Sequence, residues 1–191
     1  MSRHASCQIG VMGSSGDVLD ESDRQRMQEV SERLGAAIAS RGCVLVTGAT
    51  TGLPDRVSRA ARRHGGLTVG ISPALSQTEH VEKYNYPTDA VDVMIYTGFA
   101  LKGRNVINVR SADIVIIISG GMGTLNELTI AYDEGKVIGV LEDTGGIADH
   151  LREIVAFANK PGTARLIFAL EPEQLVDECL AAWRSRRPGD A

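Results

Sequence analysis

The chain has 191 residues, 43% of them hydrophobic and 23% charged, with a formal net charge of −4 at pH 7. That length suits one domain with a sizeable core, and the composition is that of an ordinary soluble globular protein. The acidic balance excludes the general basic footprint of a nucleic-acid binder, and no apolar run approaches the length needed to span a bilayer.

Three cysteines, Cys7, Cys43 and Cys179, show no paired spacing, so neither a disulfide framework nor a zinc site is expected. The segment Met1–Cys7 lacks the apolar core of a signal peptide, which points to a cytoplasmic protein. Cys7–Met12 reads as a short buried strand, followed by the loop Gly13-Ser14-Ser15-Gly16. A helix is expected from Ser22, with Gln25 as capping-box partner and Met27, Val30, Leu34 and Ile38 along one face. Cys43–Val46 is the second strand, and Thr47–Gly52 the loop after it. Pro54 then sits in the first turn of a helix reaching about His64. Within that helix Arg56, Arg59, Arg62 and Arg63 form a solvated face.

Leu67–Ile71 is the third strand. Residues 72–89, with Pro73, Tyr84, Tyr86 and Pro87, read as a long polar connection of the kind that often covers a site. Val91–Tyr96 is the fourth strand, leading to a helix over about 102–111. Ile114–Ile118 is the fifth strand, with a helix over Thr124–Glu134. Val137–Leu141 is the sixth strand, and Gly145-Gly146 precede a helix near 147–158. The apolar run Leu166–Leu170 and a helix over Pro172–Trp183 close the core, about residues 7–183, with a frayed tail from Arg184. This alternation predicts a single α/β domain: a Rossmann-like, doubly wound, mostly parallel sheet with helices on both faces.

Ligands of such sheets bind beyond the carboxyl ends of the strands, near a switch in strand order. The loops at Gly13, Gly48 and Gly120 all follow strands and therefore share that edge. The third is the most informative. Gly120, Gly121 and Gly123 let the backbone approach a ligand closely, and the free amides of a helix start make a cradle for phosphate or carboxylate. Thr124 adds a hydroxyl, and Glu127 lies on the same helical face. Thr124-Leu-Asn-Glu127 also satisfies a T-x-x-E capping box, so Glu127 either caps the helix or both caps it and does chemistry. Two familiar alternatives fail. Gly10, Gly13 and Gly16 are spaced G-x-x-G-x-x-G rather than as a dinucleotide fingerprint, and the second strand ends in Thr47-Gly48 without an acidic residue. A G-x-x-x-x-G-K-[ST] phosphate loop is absent. His4, His64, His80 and His150 form no local constellation.

Gly120–Glu127 resembles the P-G-G-x-G-T-x-x-E motif of the Lonely Guy family, phosphoribohydrolases that release a base from a nucleoside 5′-monophosphate. Gly103-Arg104-Asn105 is similar to the family's Arg-Lys segment, and Gly48–Leu53 to its glycine-rich loop; the resemblance runs over about residues 7–180. It implies that Arg104 and Glu127 form the catalytic pair and that Gly121, Gly123 and Thr124 hold the 5′-phosphate. Gly13, Ser14, Gly48, Thr50, Gly103, Asn105, Gly120 and Met122 complete the candidate ligand contacts. Ser119 stands where the motif has proline, Asn105 where it has lysine, and Asn126 where it has the first of two glutamates. Residues 103–113 look closer to a sister branch, the molybdenum-cofactor carrier proteins, which bind a phosphorylated pterin without known turnover. The resemblance therefore implies a small phosphorylated ligand, either nucleoside monophosphate or pterin. It also implies a homodimer or higher homo-oligomer. Neither a metal nor a separate cofactor is called for.

Overall fold

The computed structural model describes residues 6–16 and 21–186. They form one seven-stranded, wholly parallel sheet. The strands are β1 (Gln8–Gly13), β2 (Val44–Thr47), β3 (Thr68–Ser72), β4 (Val93–Tyr96), β5 (Ile114–Ile118), β6 (Val137–Leu141) and β7 (Arg165–Ala169). The helices are α1 (Glu21–Ser40), α2 (Leu53–Arg63), α3 (Gln77–Glu82), α4 (Ala100–Arg110), α5 (Met122–Asp133), α6 (Leu151–Ala158) and α7 (Pro172–Arg184). A short 3₁₀ turn, Ala148–His150, leads into α6.

The order across the sheet is β4-β3-β2-β1-β5-β6-β7. The chain winds outward from β1 to β4, returns to the middle, and winds outward again, so the switch in order falls between β1 and β5. Five consecutive β-branched residues explain why β5 is central: it is buried on both faces, and side chains along it alternate between two cores. Ile114, Ile116 and Ile118 join Ile9, Val11, Leu34, Ile38, Val57 and Leu175, under α1, α2 and α7. Val115 and Ile117 join Met12, Val109, Leu128, Ile138 and Leu151, under α4, α5 and α6. Cys7, Cys43 and Cys179 are buried and form no disulfide, and burial pushes the Cys179 thiol up to about 12.

Several local expectations are corrected. α1 begins at Glu21, so Ser22 is inside the helix rather than its cap. The connection over 72–89 contains α3, started by Ser76, whose hydroxyl accepts from the Glu79 amide at 3.2 Å. α5 begins at Met122 with Gly121 as its N-cap and no side-chain capping bond, so Thr124 and Glu127 are not a capping box. α7 continues through Arg184, where fraying was expected; the tail beyond Arg186, like Met1–Ala5 with His4, lies outside the described residues. Of the α2 arginines expected on a solvated face, Arg59, Arg62 and Arg63 form an ion-paired outer face, Arg59 with Asp55 and Asp89, Arg62 with Asp92 and Arg63 with Glu32, while Arg56 is partly buried. Among the described residues no helix is long and apolar enough to cross a membrane, and no metal-ligating cluster forms.

Candidate functional site

β5 ends at Ile118 and the backbone turns through Ser119 and Gly120, both at positive φ (54° and 96°). For Ser119 that conformation is unfavourable and must be held by its surroundings. The holding comes from the loop after β6. The Ser119 amide donates to Thr144 Oγ1 at 2.8 Å, Ile147 donates to the Gly120 carbonyl at 2.8 Å, and Ala148 donates to that of Ser119 at 3.3 Å. Asp149 ties the clamp down by accepting from the amides of Thr144 (3.2 Å) and Gly145 (3.0 Å). A side chain at Gly120 would collide with that of Thr124.

The turn delivers α5 with its first amides uncapped by any side chain. A Cβ at Gly121 or Gly123 would meet nothing within 4 Å, so the space in front of those amides is open. It belongs to a crevice of about 380 Å³ at the β1/β5 switch point.

Glu127 stands in the crevice wall one helical turn after Gly123. Its Oε1 lies 3.5 Å from an Arg104 guanidinium nitrogen and accepts from Asn108 Nδ2 at 3.2 Å. The two charged side chains are only 8% and 7% exposed. Burial raises the Glu127 carboxyl above the ordinary glutamate range, opposed by the Arg104 charge and the Asn108 hydrogen bond. Burial likewise lowers the Arg104 guanidinium, opposed by Glu127. At 3.5 Å the pair is loose, and Arg104 Nε has no partner among the described residues, so the guanidinium retains donor capacity for a ligand. Gly48 makes room for it: a side chain there would overlap the guanidinium.

The crevice brings together Gly13, Ser14, Gly48, Thr50, Arg104, Asn105, Gly121, Gly123, Thr124 and Glu127. Gly103, Gly120 and Met122 are not among its lining residues. Gly103 faces away, its missing side chain making room for Phe99, and Gly120 serves the turn itself. Sequence reasoning did not name Tyr86, Lys102 and Asn108 as ligand contacts, yet all three line the crevice. Asn108 was detectable as the residue one turn below Arg104. Tyr86 comes from the long connection, positioned through α3. His80, fully buried, donates from Nε2 to the Pro87 carbonyl at 3.0 Å, which in the neutral ring leaves Nδ1 to accept from Ser72 Oγ at 2.8 Å. The edge of its ring meets Tyr86, with centroids 5.6 Å apart.

An uncapped helix start, a buried arginine and a buried carboxylate thus meet at the switch point of a parallel, Rossmann-like α/β sheet. The chain belongs to the SLOG cluster4 family, which it matches over residues 6–176. It is 31% identical to a cytokinin riboside 5′-monophosphate phosphoribohydrolase of Mycobacterium marinum over 163 residues, 79% of this chain and 84% of that protein. It is 36% identical to an uncharacterized protein of Archaeoglobus fulgidus over 135 residues, 71% of this chain and 80% of that one. Among solved structures, the molybdenum cofactor binding protein of Rippkaea orientalis superposes with a TM-score of 0.73 at 31% identity, covering 93% of this chain and 98% of that one.

Proposed function

We propose that the protein hydrolyses the N-glycosidic bond of a nucleoside 5′-monophosphate, releasing the free base and ribose 5-phosphate. The observation that carries this reading is the Glu127 carboxylate, set in the same crevice as the uncapped start of α5. The 5′-phosphate is held by the amides of Gly121–Thr124, with the Thr124 hydroxyl beside them. About one helical turn (~5.4 Å) further along, the sugar reaches Glu127. Cleavage builds positive charge on the ribose; the carboxylate stabilises it and takes a proton from the attacking water. The water oxygen bonds to the anomeric carbon, and the electron pair of the broken C–N bond leaves with the base, which takes up a proton from solvent as Glu127 later returns its own. Burial raises the carboxyl above the ordinary glutamate range and so strengthens it as a base, while the Arg104 charge favours its ionised form. The likeness to the M. marinum phosphoribohydrolase supports this reading.

Incubation with AMP, GMP, CMP and UMP, with chromatographic detection of base and ribose 5-phosphate, tests it. Release from at least one nucleotide is expected, and its absence from all four overturns hydrolysis. The dimer implied by the family resemblance belongs to the same proposal and is read from the mass in solution.

A second reading, a non-catalytic carrier of a phosphorylated pterin, is favoured by one contact. Asn105 Nδ2 donates to Asn126 Oδ1 at 2.9 Å. Two of the positions at which the chain departs from the hydrolase motif thus bond to each other, leaving a neutral amide pair at the crevice edge. Such a pair suits the amide-like edge of a pterin. Tight pterin binding without nucleotide cleavage is the outcome that selects it.

A further inference from the structure

We propose that Asn108 is a specificity-determining residue whose side-chain carbonyl accepts a hydrogen bond from a ribose hydroxyl of the bound nucleotide. The inference rests on the nucleotide reading above and deepens it.

Asn108 is fully buried yet lines the crevice. Its Nδ2 donates to Glu127 Oε1 at 3.2 Å and lies 3.0 Å from Met12 Sδ. Both neighbours are acceptors, so the amide can be turned only one way, nitrogen toward them and oxygen away. That oxygen, Oδ1, has no hydrogen-bond partner among the described residues. A buried acceptor without a donor is costly, and a donor arriving through the crevice removes the cost.

The chemistry of the ligand selects which donor. An ionised phosphate has only acceptors to offer, and it belongs at the start of α5. The sugar is covalently next to the phosphate and is the portion that reaches Glu127. Asn108 is bonded to that same carboxylate, so a ribose hydroxyl is the donor brought to Oδ1. A site built to hydrogen-bond a hydroxyl rejects the analogue lacking it far more strongly than an apolar site distinguishes sizes.

The test compares kcat/KM for AMP, 2′-deoxy-AMP and 3′-deoxy-AMP in the wild type and in Asn108→Leu, which matches the volume without the acceptor. In the wild type, one of the two deoxy analogues falls by about 100-fold or more relative to AMP. In Asn108→Leu that ratio collapses toward one. Loss of the bond to Glu127 slows all three substrates together and cancels in the double-mutant comparison, so a purely structural role leaves the ratio unchanged. Wild-type enzyme that cleaves AMP and both analogues equally overturns the assignment without any variant, even if Asn108→Leu does not fold. An unchanged ratio in a folded Asn108→Leu overturns it as well. Where GMP, CMP or UMP is the nucleotide cleaved, it and its two deoxy analogues take the place of AMP; failure of the wild type to cleave any of the four overturns the hydrolytic reading and this assignment together, and is told apart because no substrate turns over.

Discussion

The two walls of the crevice are built on opposite principles. One consists of α4 and α5, lying over the sheet core, and presents Arg104, Asn108 and Glu127, all nearly excluded from water. The other is made by the loops after β1 and β2, with Tyr86 reaching in from the segment between β3 and α4, around which Leu75, Val93, Ile95 and Phe99 stand exposed near the sheet edge. The first wall fixes charges where water cannot screen them, and the second supplies a cover held by one buried histidine. Reacting groups need the rigid wall, because a buried charge pair keeps its geometry only when the surroundings cannot yield.

Glu127→Gln is the strongest test of that division. It keeps the shape and can still accept from Asn108, but it removes the charge, so kcat is expected to fall by about 10³-fold. It also strands the Arg104 guanidinium, which cannot shed its proton, so stability falls by up to about 3 kcal/mol in thermal or urea unfolding. Unchanged turnover removes Glu127 from the chemistry.

Arg104→Met acts on the same pair with a different signature, because a carboxyl can neutralise itself where a guanidinium cannot. Without Arg104, burial pushes the Glu127 carboxyl further up. In the proposed reaction turnover requires the ionised carboxylate and is lost as pH falls through its pKa, so the acid limb of the kcat profile is expected to move to higher pH in the variant. The stability sign follows from linkage. A carboxyl raised on folding binds its proton more tightly in the native state. Stability therefore drops as pH rises from the ordinary carboxylate value to the raised one, by about 1.4 kcal/mol per pH unit at most. Arg104→Met widens that interval, and melting temperatures across pH 4–8 read it directly.

Gly123→Ala separates the needs of the fold from those of the ligand. A Cβ there meets nothing, and the residue lies within α5, so the substitution stabilises the protein by up to ~1 kcal/mol. It also places a methyl group in front of the amides proposed to hold the phosphate. KM for a nucleoside monophosphate is expected to rise at least several-fold while the melting temperature rises or holds. A variant that binds as tightly as wild type moves the phosphate elsewhere.

Legibility in the sequence follows the same division between the walls. Ile114–Ile118 announces a strand buried on both faces, and the glycines after it announce a helix start open to an anion, because both signals are local. The T-x-x-E spacing misleads, since it reads identically whether the helix begins at Gly121 or later; only the backbone path places Glu127 in the crevice rather than at the cap. Gly103 misleads similarly, because a glycine needed to admit Phe99 looks the same as one needed to admit a ligand. Helix α3 has only six residues and no apolar periodicity, so Ser76 and Glu79 were its sole advertisement. The approach of Tyr86 to the crevice is set by tertiary packing through His80 and Pro87, which no local pattern encodes.

The smallest expected effect belongs to that second wall. His80→Ala removes the donor to the Pro87 carbonyl and the acceptor for Ser72 Oγ, and takes away the ring against which the Tyr86 ring packs. Leaving buried polar groups unpaired costs about 1–3 kcal/mol of stability. The loss is local, because Arg104, Asn108 and Glu127 stand on elements that α3 does not carry. Binding is therefore expected to weaken a few-fold, through a higher KM, while kcat stays within about twofold of wild type, the pattern of a lost contact made equally in ground and transition states. His80→Asn, which can still donate and accept, should recover part of the stability and part of the KM. A fall in kcat comparable to that of Glu127→Gln would mean that the cover takes part in the chemistry, and the contrast between the walls would no longer hold.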